Sequence, residues 1–96
     1  MDPTEFAVHE ALFFVTHLDG DGLADALALD AALQRLAVTA VRRQVVSLAE
    51  SPELGARWNV RVTPCLVLDT GSRQVQLPGD PAKLDAARLE RALSQR

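Results

Sequence analysis

The sequence predicts an α/β fold: a βαβ unit followed by a short helix, a β-hairpin entered through a proline, and a C-terminal helix. A strand-length apolar run at residues 11–16 and a stretch rich in β-branched residues at 38–48 flank a run of good helix formers at 23–37. A Ser51-Pro52-Glu53 helix start comes next, and Thr63-Pro64 then leads straight into another apolar run. Strand and helix patterns alternating in this order predict parallel strands joined by a helical crossover.

Residues 1–9 are mixed in character and are expected to fray. Ala11-Leu12-Phe13-Phe14-Val15-Thr16 is apolar without alternation, as a strand covered on both faces requires. His17-Leu18-Asp19-Gly20-Asp21-Gly22 places two glycines and two aspartates in six residues, a loop able to cap the helix that follows. Within that helix the leucines at 23, 27, 29, 33 and 36 spread over more than one face, which predicts tight packing against the sheet. The 38–48 strand has a polar, solvated entry at Arg42-Arg43-Gln44 and a buried end at Val45-Val46. A right-handed crossover between the two strands puts any binding site near their carboxyl ends.

Ser51 is the expected N-cap of a short helix reaching Trp58, with Pro52 at its first position and Glu53 in its first turn. Pro64 has no N–H and a fixed φ, so it can open a strand but not lie inside a paired central one. Its ring forces Thr63 to be extended. A cis Thr63–Pro64 bond is accessible, because the cis form costs only about 0.5–1 kcal/mol at proline. Thr70-Gly71-Ser72 then reads as a turn, 74–77 as an edge strand, Gly79 as a break and 83–93 as the terminal helix. With no internal repeat, linker or low-complexity stretch, residues 1–96 read as one domain.

The helix end at Trp58, followed by Val60-Arg61-Val62-Thr63-Pro64 and an apolar strand, resembles the cis-proline segment of thioredoxin-fold proteins. Upstream, Gln44-Val45-Val46-Ser47-Leu48-Ala49-Glu50-Ser51-Pro52-Glu53-Leu54-Gly55 together with Val62-Thr63-Pro64 is similar to the KaiB circadian clock proteins and the sensor domains of SasA clock kinases. The resemblance spans residues 11–94. It implies a thioredoxin-like fold, a cis peptide at Pro64, and a non-catalytic protein-interaction domain whose partner is a KaiC-like ATPase ring or a kinase module. KaiB proteins carry a proline-rich tract after the cis-proline strand, where this chain has Thr70-Gly71-Ser72. The resemblance therefore leans toward the static form of the SasA sensor rather than the fold switching of KaiB.

Aligned in the same way, the Cys-x-x-Cys of redox-active thioredoxins falls on Asp19-Gly20-Asp21-Gly22, and their buried acid falls on Phe13. Thiol–disulfide exchange needs a thiolate and a resolving partner, and neither position supplies one. Cys65, the one cysteine, has two readings. It is a small hydrophobe in an apolar strand, or a lone thiol that supports the alternative function, thiol-dependent redox chemistry.

Composition bounds the rest. Ninety-six residues, 48% of them hydrophobic, are enough to bury a single core without a metal or a disulfide, with roughly 65% of the unfolded surface removed from water. A net charge of −3, with nine scattered arginines and one lysine, lacks the basic footprint of a nucleic-acid binder. No signal peptide or membrane-length apolar run is visible, so the expectation is a cytoplasmic protein that binds neither nucleic acid nor membrane.

Asp19, Asp21 and Asp25 are spaced like calcium ligands, but an EF-hand loop would need an oxygen ligand at Leu23 and glycine at Ala24. His17 with Asp19 and Asp21 lacks a distant fourth ligand, so no metal and no cofactor are expected. A tryptophan between arginines suits a binding hot spot, and it equally suits a helix closed against a sheet. The expected partner surface runs over residues 17–30 and 57–65 and includes His17, Asp19, Asp21, Arg57, Trp58, Arg61 and Cys65.

Overall fold

The computed structural model describes residues 6–94. Four strands, β1 (Phe6–Val15), β2 (Val38–Ser47), β3 (Cys65–Asp69) and β4 (Gln74–Pro78), form one mixed sheet in the order β2-β1-β3-β4. β1 and β2 are parallel, while β3 is antiparallel to both β1 and β4. Leu12 pairs with Val67, so the first apolar run and the post-proline run share one sheet. Helices α1 (Leu23–Leu36), α2 (Pro52–Arg57) and α3 (Ala86–Ser94) complete the fold.

The continuous apolar run in β1 exists because both faces of its carboxyl half are covered. Ala11 and Phe13 join Leu66, Leu68, Val75 and Leu77 under the α1 and α3 residues Leu29, Leu33 and Leu89. Leu12 and Phe14 join Val46, Cys65 and Val67 on the other face, where Leu54 and Trp58 pack over them. Successive strand residues point to opposite faces, so a strand sandwiched between helices must be apolar at every position.

Three expectations are corrected. Residues 6–9 are not frayed: β1 begins at Phe6, and Phe6, Ala7 and Val8 pair with Val38, Thr39 and Ala40. Phe6 and Val8 pack into the same cluster as Ala11 and Phe13, so the inward positions change parity between Val8 and Ala11, where the ladder skips the His9–Val41 pair. That break hides the strand from any count of regular alternation. Residues 1–5 lie outside the described residues.

The second correction concerns α1, which is not packed all round. Leu29, Ala32, Leu33 and Leu36, at i, i+3, i+4 and i+7, form its buried stripe. Leu23 and Leu27 lie off that stripe and are each 61% exposed.

The C-terminal helix also starts later than residue 83. Asp80 caps a 3-10 turn, Pro81–Lys83, by accepting from Ala82 N at 2.9 Å. Leu84 then plugs the core in an extended conformation. Asp85 restarts the helix by accepting from Arg88 N at 2.8 Å.

Candidate functional site

The carboxyl end of β1, the loop after it, the first turns of α1 and the segment before β3 converge at one end of the sheet. β1 hands the chain over at Val15, whose carbonyl still accepts from Leu48 N at 2.9 Å. Thr16 follows. Its hydroxyl lies 2.5 Å from that of Thr63, tying the end of β1 to the residue before Pro64. The Thr16 carbonyl accepts from Ala49 N at 3.1 Å and from the Ser47 hydroxyl at 3.3 Å. The Thr63–Pro64 peptide is cis.

Between these elements lies a groove of about 370 Å³. Phe13 and Val15 reach it from the strand, Asp25 and Ala28 from α1, and Thr63, Pro64 and Pro81 from the loops. Its walls are mostly apolar. Leu23 and Leu27, on the helix that supplies one wall, and Val62, beside Thr63 on the other, are 61%, 61% and 60% exposed. These three side chains were not singled out from the sequence. The signal was present in the α1 leucines, two of which fall off the stripe that the other three define.

The acids of the loop act on the backbone. Gly22 takes the N-cap position at φ 88°, a left-handed conformation in which a side chain is strained. The expected capping role falls to Asp21, one residue earlier, whose carboxylate accepts from Leu23 N at 3.0 Å. Asp25 reaches back to accept from Asp19 N at 2.8 Å. Both acids sit at the positive end of the helix dipole. Asp21→Ala is therefore expected to lower stability by about 0.5–2 kcal/mol, the usual range for losing a helix-start acceptor, as read from urea unfolding.

The remaining expected site residues separate. His17, Asp19 and Asp21 are exposed on the loop beside the groove. Arg61 is exposed just before Val62. Arg57 and Trp58 belong to the α2 side: the Arg57 guanidinium lies 6.0 Å from the indole centroid, at the outer limit of a cation–π contact. Trp58 is half-buried against the cluster containing Leu12 and Phe14, and its carbonyl accepts from the side chains of Gln74 at 2.8 Å and Gln76 at 2.7 Å. It closes α2 against the sheet and fastens the loop that follows to β4.

Cys65 is a correction to the expected surface. It is 1% exposed, paired with Phe14 and Pro78, and desolvation pushes its thiol pKa up. A residue so placed offers a partner no surface, and its neutral form is favoured over the thiolate. Among the described residues no group of three or more His, Cys, Asp or Glu side chains is placed to hold a metal ion, and no helix is long and apolar enough to cross a membrane.

No protein-family model matches the sequence, and no curated protein matches it significantly. Solved structures do. The N-terminal domain of Synechococcus elongatus SasA superposes with a TM-score of 0.59 at 21% identity, covering 100% of this chain and 93% of that one. The fold is thioredoxin-like. A designed protein matches at TM-score 0.58 and 18% identity, over 91% of this chain and 78% of that chain. A malarial protein matches at TM-score 0.52 and 11% identity, over 88% and 91%. At such identities the likeness is one of fold.

Proposed function

We propose that this chain is a non-catalytic, thioredoxin-like protein-interaction domain of KaiB/SasA-sensor type that binds a partner protein over the groove beside Pro64. The observation that carries the reading is the apolar groove itself, walled by Phe13, Val15, Ala28, Pro64 and Pro81, together with large apolar side chains left in water on the elements that form its walls, Leu23 and Leu27 on α1 and Val62 before Thr63. Scattered exposed apolar residues are ordinary, but a group on the two elements that wall one apolar groove marks an interaction surface. His17, Asp19, Asp21 and Arg61 supply a polar rim of the kind that surrounds such contacts. By resemblance, the partner is a KaiC-like ATPase or a kinase module in the cytoplasm, met by a single domain spanning the chain. The alternative, thiol-dependent redox chemistry, needs an accessible thiolate at Cys65, and the burial of that side chain opposes it.

The test is differential capture from the source cell with three immobilised proteins: wild type, Leu23→Ser/Leu27→Ser, and Val41→Ser. Val41 is 78% exposed on β2, away from the groove, and serves as the control. A protein retained by wild type and Val41→Ser but lost from the double variant is the expected result. Identical retention by all three would remove the groove from the function. Dithiol-dependent turnover of a disulfide substrate that vanishes in Cys65→Ser would favour the redox alternative instead.

A further inference from the structure

The loop at the groove's rim contains two Asp-Gly steps, and the structure treats them differently. We propose that Asp19–Gly20 is a site of spontaneous aspartyl isomerisation, while Asp21–Gly22 is protected by the fold. In this reaction the backbone nitrogen of the following residue attacks the aspartate Cγ. The new C–N bond closes a five-membered succinimide, and the amide proton leaves with the hydroxyl of the protonated carboxyl as water. Water then re-enters. Attack at the side-chain carbonyl restores aspartate, and attack at the main-chain carbonyl gives isoaspartate, in which the chain runs through Cγ and gains one methylene. Nothing is oxidised or reduced.

Three things favour the ring closure: a following residue without Cβ, an N–H not engaged as a donor, and a carboxyl free to swing. At Asp21–Gly22 the first holds but the other two fail. The Asp21 carboxylate is occupied by Leu23 N at 3.0 Å, and Gly22 N donates to the Asp19 carbonyl at 2.9 Å. Leu18 also packs beside Gly22, 3.5 Å from the position a Cβ would take, an ordinary van der Waals contact. At Asp19–Gly20 the side chain is exposed, and among the described residues neither its carboxylate nor Gly20 N is engaged. Open space surrounds Gly20. The restraints there are two exposed hydrogen bonds, from Asp19 N to Asp25 and from Gly22 N to the Asp19 carbonyl. The product lengthens the backbone four residues before Leu23, at the edge of the proposed partner surface. The isomerisation itself does not depend on that surface being used.

The intact protein is aged at neutral pH and physiological temperature beside the same chain unfolded in urea. Isoaspartate is measured by methyl transfer from S-adenosylmethionine with an isoaspartyl methyltransferase, and located by electron-transfer fragmentation of the peptide spanning the loop. The expected result is isoaspartate at position 19 in several-fold excess over position 21 in the folded protein, with both positions modified comparably when unfolded. Gly20→Ala should abolish the position 19 signal in the folded chain. A folded chain that modifies position 21 as readily as 19, or that modifies neither while the unfolded chain modifies both, overturns the proposal.

Discussion

Phe14→Ala is expected to lower stability by about 3–5 kcal/mol, the cost of emptying a fully buried aromatic site. Phe14 is 0% exposed and stands in the central strand, with Val46 beside it on β2 and Cys65 on β3. Among the described residues, its face of the sheet is covered by the six-residue α2 with Leu48, Trp58 and Val60, so little material can collapse into the void. Small domains hold about 5–15 kcal/mol in total, so this one truncation removes a large share of the margin. Urea unfolding followed by Trp58 fluorescence measures it. Leu27→Ala provides the contrast, because an exposed side chain should change stability by no more than about 0.5 kcal/mol. Equal losses at the two positions would mean that α2 does not seal its face.

Cys65 is expected to react with a thiol reagent only when the protein opens. If opening is global and stability lies near 5 kcal/mol, labelling should be slowed about a thousandfold or more relative to the urea-unfolded chain. The same burial sets a pH dependence. The folded thiol has a raised pKa, so above the unfolded value of about 8.5 the unfolded chain releases a proton that the folded one keeps. The stability that comes from keeping the thiol neutral is fully present below that pH and is lost as pH rises, by at most about 1.4 kcal/mol per unit. Cys65→Ala should remove this component of the alkaline slope. Rapid labelling of the native protein would place the thiol at the surface and revive the redox alternative.

The elements that were legible in the sequence are those whose burial leaves a simple pattern. β1 beyond Glu10 is apolar at every position because helices cover both faces, and Pro64 opens β3 because proline cannot stand inside a paired strand. Phe6 to Val8 escaped because the inward parity changes before Ala11, which erases the alternation a half-covered strand would show. Residues 81–85 escaped because two aspartates each start a separate turn around Leu84, so a single helix start was read where there are two. In the candidate site, the acidic loop was legible, since glycines and aspartates announce a loop. The exposed leucines of α1 were not, because Leu23 and Leu27 look like core until the stripe through Leu29, Leu33 and Leu36 is fixed in space. Cys65 was misplaced for the opposite reason: its nearness to Pro64 suggested the surface, while its place in the pleat turns it under Trp58.

The claim that the groove beside Pro64 is a partner-binding surface is tested most directly by photo-crosslinking in the source cell. A photoreactive amino acid is placed at Leu27, at Val62 or, as the control, at Val41, all exposed positions where it should not disturb folding. The account predicts one shared protein adduct from the Leu27 and Val62 positions and its absence from Val41. Adducts from Val41 alone, or the same adducts from all three positions, would contradict it.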